Sequence, residues 1–233
     1  MIINLENLKG LPKRYLSELK KFDKVFKSSD FLENYEDNEN INYLIFEINN
    51  FCLENKIIGF HYTNAIENDI RNNGMIIRSG EQIRKDFVKR FYPLFNKSEQ
   101  IEINEKWLKR FGKKDIEVRD NRIFFNFTKR GLKNGGAKLL LNYYGGEQVY
   151  FPIHGLPTIG EKLREIGKPM ILKCTLNPNE IHTYIENPWG KIVISSYNRI
   201  VNSNAETVDQ DGYQKSGVLK EDIEIISGEK YIC

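Results

Sequence analysis

The stretch from Ile57 to Ile77, "IIGFHYTNAIENDIRNNGMII", constrains the fold most. An apolar run leads into His61, Tyr62 and Thr63, and then Ile66 and Ile70 recur at helical spacing. Asn73-Gly74 closes the helix before a second apolar run. Strand, short helix and strand are expected, because period-2 and period-3.6 patterns follow each other and a glycine can stop a helix in the left-handed region. In an extended chain His61 and Thr63 share one side, so an imidazole and a hydroxyl stand together at a strand end. Such a pair can hydrogen-bond a sugar hydroxyl or an amide. A satisfied structural histidine is the plainer account, and both readings stay open on this stretch alone.

Upstream, "PKRYLSELKKFDKVF" and "NENINYLIFEINNFCLEN" carry apolar stripes at i, i+3 and i+4. They are expected as two amphipathic helices forming an N-terminal extension over residues 1–55. The segment from Arg78 to Asp115 is densely charged, with interspersed aromatic residues and Pro93 near its middle. Two helices broken near the proline are expected, a helical insertion near residues 80–115. "NRIFFNFTKRG" and "KPMILKCTLNP" read as strands, "GEKLREIG" as a short helix and "VLKEDIEIIS" as a turn and a last strand. "GKIVISSYNRIVN" is ambiguous between strand and helix, and "AETVDQDGYQKSG" reads as loop or bulge. Helices followed by strands with helical interruptions make an α+β pattern rather than regular βαβ alternation.

Composition narrows the function classes. A chain of 233 residues suits one large domain, or one domain with a helical appendage. A net charge of +3 and a pI near 8.6 permit a polyanionic partner without requiring one. Three cysteines without ligand spacing argue against a disulfide framework and for a reducing, cytoplasmic setting. No apolar run is long enough to span a bilayer, so no membrane association is expected. The three histidines lie far apart and lack metal-ligand spacing, so no metal site is expected. No P-loop, dinucleotide fingerprint or serine elbow occurs.

Three further patches carry polar chemistry. "FFNFT" sets Phe124, Asn126 and Thr128 on one side and two phenylalanines on the other, either an aromatic wall for a ring ligand or ordinary core. In "YYGGEQVY", two glycines precede Glu147 and allow close backbone approach or a helix cap. "DQDG" holds Asp209 and Asp211 on one side if extended, or marks a turn.

In this order the pieces resemble the ADP-ribosyltransferase superfamily, the diphtheria-toxin and poly-ADP-ribose polymerase type of catalytic fold. "GFHYTNAIENDIRNNGMI" looks like its first motif, "RIFFNFTKRG" with "GAKLL" like its second, and "KPMILKCTLNPNEI" like the following central strand. "DQDGYQKSGVLKEDIEII" looks like its last motif. The resemblance covers about residues 57–227 and implies an α+β fold, a split, mixed or antiparallel sheet with an N-terminal helical extension, here residues 56–233 after 1–55. It implies that NAD is consumed as substrate, without metal, and that ADP-ribose passes to a protein or nucleic acid. A bacterial or phage toxin, or a defence or counter-defence effector, is the biological setting it implies, with an antitoxin or a host target as possible partners.

Residue by residue, the resemblance assigns His61 to the nicotinamide-side ribose, supported by Tyr62 and Thr63. Phe124 takes the place of a tyrosine that stacks on nicotinamide, with Asn126 and Thr128 beside it. Asp211 takes the place of the catalytic acid, Asp209 that of a second acid, and Gln214 or Glu206 are alternatives if the alignment slips. Glu147 is retained as a site-lining candidate for the acid, and Gly74 and Arg78 as cofactor-binding candidates. Two alternatives accompany this reading: a binding module of the same fold without catalysis, and an RNA 2′-phosphotransferase drawing on Arg78, Arg84, Arg122 and Arg130.

Overall fold

A computed structural model describes residues 1–35, 37–112, 119–208 and 210–232. It is a mixed α and β structure. The strands are β1 (Ile2–Ile3), β2 (Lys56–Ala65), β3 (Ile123–Asn126), β4 (Lys168–Leu176), β5 (Asp211–Gln214) and β6 (Ile223–Ser227). Their order in the sheet is β5-β3-β2-β4-β6, with β1 pairing β2. β1 runs parallel to β2, and β2 and β3 are antiparallel with Phe60 opposite Asn126.

Eleven helical segments are named in chain order among the described residues. They are α1 (Lys13–Lys20), α2 (Asp23–Phe26), α3 (Glu39–Leu53), α4 (Glu67–Asn73), α5 (Gly80–Phe91) and α6 (Lys97–Arg110). The others are α7 (Arg130–Lys133), α8 (Lys138–Asn142), α9 (Glu147–Tyr150), α10 (Pro157–Glu165) and α11 (Pro188–Val201).

The chain divides into two compact units that cut it differently from a break near residue 55. The first unit comprises residues 1–60, 124–133 and 174–214, and the second the remainder. The N-terminal helices belong to the first unit because β1 adds to β2 and α3 packs along α11. Asn38 caps α3 by accepting from the amides of Asn40 and Ile41. Its apolar stripe, Ile41, Leu44, Ile45, Ile48 and Cys52, is buried. Burial pushes the Cys52 thiol up to about 12, so it behaves as a core residue and not as a nucleophile.

The ambiguous run "GKIVISSYNRIVN" is helix. Pro188 opens α11 at its first position, where a missing N–H costs nothing, and fourteen residues are too many for a typical strand. β-branched content made it look strand-like, but Gly190 lets its backbone close on the Ile45 carbonyl. Trp189 then packs edge-on against Phe127 at 4.7 Å. Over "DGYQ" β5 replaces the expected loop: Tyr213 exchanges two backbone hydrogen bonds with His182, at 2.8 and 3.0 Å.

The second unit holds the α5–α6 pair, joined by a tight turn through Pro93. Both helices open with capping boxes, at Ser79 with Gln82 and at Asn96 with Glu99. Their core gathers Phe87, Phe95, Ile103, Trp107, Val149 and Tyr150, and the Trp107 indole donates to the Val149 carbonyl at 3.0 Å. The expected strand after Gly74 is a single bridge, Met75 with Val218. Gly74 has φ 68°, and a Cβ there would stand 2.2 Å from the Val218 oxygen. Gly74→Ala is therefore expected to cost about 2 kcal/mol, from left-handed strain and displacement of that bridge. Chemical denaturation of the two proteins measures it, and equal midpoints would refute the close fit. No helix among the described residues is long and apolar enough to cross a membrane.

Candidate functional site

Side-chain direction along the strands sorts the candidate residues. On β2, Phe60, Tyr62 and Asn64 use one face and Gly59, His61 and Thr63 the other. Tyr62 and Asn64 are buried, while His61 and Thr63 are half-exposed. Along this stretch the strand therefore buries Phe60, Tyr62 and Asn64 and leaves the imidazole and the hydroxyl side by side and reachable. Tyr62, expected to support the ligand, is a core residue instead, at 3% exposure.

Within the first unit the remaining candidates divide between the two faces of the strands. A Cβ on Gly59 would meet the Cβ of Phe125 at 3.3 Å, and one on Gly212 would meet the Phe127 ring at 3.3 Å. Gly59, Phe125, Phe127, Gly212 and, two residues on, Gln214 thus share a face. Gln214 is buried, at 4% exposure. On the opposite face Phe124 lies 5.4 Å from the Tyr213 ring, and Asp211 alternates onto that side with Tyr213. Phe124 and Asp211 are therefore together, whereas Gln214 points the other way, with Gly59. Asn126 lies opposite Phe60, half-exposed, on the Phe124 side. Thr128 falls past the end of β3, buried, and its hydroxyl accepts from the Arg130 amide at 3.4 Å, so it shapes the turn into α7. Asp209 lies outside the described residues.

The Phe124 side carries an aromatic row that the sequence reading missed. His182 stacks on Tyr213 at 4.9 Å with 17° between planes, and Tyr184 stands 6.5 Å from the same ring. His182 and Tyr184 are exposed, and Phe124 and Tyr213 are half-exposed. A planar ring can stack there. The signal was present as alternation in "HTY", which was given no reading, and in "GYQ", which was read as loop or bulge.

The other candidates have structural partners. Glu147 opens α9 after Gly146, at φ 66°, and is ion-paired with Arg119. Arg78 holds Asp86 at 2.9 Å. Arg130 holds Glu206 and donates to the Thr207 carbonyl at 2.7 Å. Arg84 donates to the side-chain oxygen of Gln148 at 2.7 Å. No group of three or more His, Cys, Asp or Glu residues with metal-holding geometry occurs among the described residues. Comparison with protein-family models, curated proteins and solved structures finds no match.

Proposed function

We propose that this chain is an NAD-consuming mono-ADP-ribosyltransferase. The observation that carries the reading is the His61–Thr63 pair, half-exposed on one face of β2 between buried neighbours. It stands in a strand, short helix and glycine stop that follow the order of the superfamily's first motif. His61 would hydrogen-bond the ribose hydroxyls on the nicotinamide side, with Thr63 beside it. In the reaction the C1′–N bond breaks and its electron pair leaves with nicotinamide. A nucleophilic atom of the acceptor bonds to C1′ and releases its proton. The developing oxocarbenium charge is what a well-placed polar group must stabilise. The acceptor is a macromolecule, protein or nucleic acid, and a toxin or defence effector is the fitting role. Incubation of the chain with adenylate-labelled NAD and cell extract should place label on a macromolecule. Label that stays wholly in NAD would count against transfer.

A second reading has its own observation. Gln214, the last-motif side chain on the Gly59 side, is an amide and cannot take up a proton, while Asp211 turns to the aromatic side. A module that binds NAD, or stacks another planar ring on the Phe124–Tyr213–His182 row, fits that arrangement without transfer. Gln214→Glu separates the two. If position 214 is where the acid belongs, nicotinamide release should rise about tenfold or more, the usual scale of a placed acid–base group less its burial cost. No rise, with NAD binding retained, would move the search for the acid elsewhere.

A further inference from the structure

We propose that Arg84 and Gln148, seated against Phe111, form an anion site for a phosphate group. The inference goes beyond the NAD reading and does not depend on it. Arg84 lies on α5 with its guanidinium carbon 4.4 Å from the centre of the Phe111 ring. Stacking fixes the guanidinium plane and directs its N–H donors outward along the edge. One donor goes to Gln148 Oε1 at 2.7 Å. Among the described residues no carboxylate lies within 4 Å of the Arg84 guanidinium. In the same unit Arg71, Arg78, Arg90 and Arg119 each hold one.

The nearby acids are committed elsewhere. Asp120 accepts from the Gly80 amide at 2.9 Å, and Glu81 pairs with Lys85 at 2.6 Å. Burial outweighs their distant pull and lowers the Arg84 pKa from its ordinary value. Among the described residues this half-buried cation is bonded to a neutral amide and to no carboxylate, so an anion would complete it. The Gln148 amide nitrogen supplies further donors beside the guanidinium. The pair is built in, not incidental: a Cβ on Gly80 would stand 2.1 Å from Gln148 Oε1 and 3.0 Å from Arg84 Nη1. A guanidinium fork beside a side-chain amide matches the several oxygens of a phosphate, whether in a strand diester or at the end of a nucleotide.

The phosphate could belong to a nucleic-acid strand or to a nucleotide diphosphate, so two probes are used. One is a short fluorescein-labelled single-stranded DNA followed by anisotropy, the other ADP followed by calorimetry. Arg84→Ala should weaken whichever probe binds by roughly tenfold, and Arg84→Lys should recover part of the loss. Gln148→Glu supplies an internal carboxylate. It should weaken the probe to the same degree while raising the thermal midpoint, which a purely structural arginine would not couple. A response to DNA alone assigns a strand phosphate, and a response to ADP alone a diphosphate. If neither probe binds the wild-type chain, or binding survives both Arg84→Ala and Gln148→Glu, the site is overturned. Melting curves establish that each variant is folded, and Gln148→Glu decides if Arg84→Ala is not.

Discussion

Alanine at His61 is expected to lower nicotinamide release from NAD about a hundredfold, the scale on which one preorganised polar contact to a developing charge acts. Its thermal midpoint should match the wild type. His61 is half-exposed, and the strand is anchored by neighbours that are not, Phe60 at 1% and Tyr62 at 3% exposure. That split distinguishes a ligand-binding histidine from a structural one, whose loss would lower stability first. Steady-state release rates and melting curves on the same preparations check it. Unchanged release with an intact fold would remove His61 from the chemistry.

Alanine at Gly190 should be strongly destabilising to the first unit. Its Cβ would fall 2.0 Å from the Ile45 carbonyl oxygen and 2.8 Å from the carbonyl carbon. Both atoms belong to the backbone of α3 and cannot swing away as a side-chain tip would. Relief requires α11 to separate from α3, which withdraws Trp189 from Phe127 and strains the bond from the Trp189 amide to Asn49 Oδ1. A loss of about 3 kcal/mol or more follows, since overpacking between two backbones lies at the costly end of core substitutions. That corresponds to a midpoint lower by about 6–12 °C. A midpoint within a degree of wild type would mean that the α3–α11 contact is looser than described.

What the sequence disclosed depended on whether a pattern was local. The stripes of α3 and of the α5–α6 pair, the Pro93 break and the strands β2 and β4 follow from periodicity and terminators within a few residues. α11 did not, because a β-branched run looks alike in either state until its partner is known, and the partner is α3, far back in the chain. β5 was hidden for the opposite reason. Asp-Gly is a turn signal, and only pairing with His182 makes those residues a strand. The site was partly legible. Alternation alone put His61 and Thr63 together, but which side of β5 met which side of β3 could not be read from one strand. Hence Asp211 and Gln214 could not be told apart, and the His182–Tyr213–Tyr184 row and the Arg84–Gln148 pair went unseen.

Calorimetric titration of NAD into the wild-type chain bears most directly on the proposed function, because catalysis and simple binding both require it. Saturable heat with a dissociation constant of about 1 μM to 1 mM, the usual range for enzyme substrates, is the expected result, lost or strongly weakened in His61→Ala. No saturable heat over that range, from protein shown to be folded, would contradict the NAD assignment in both its forms.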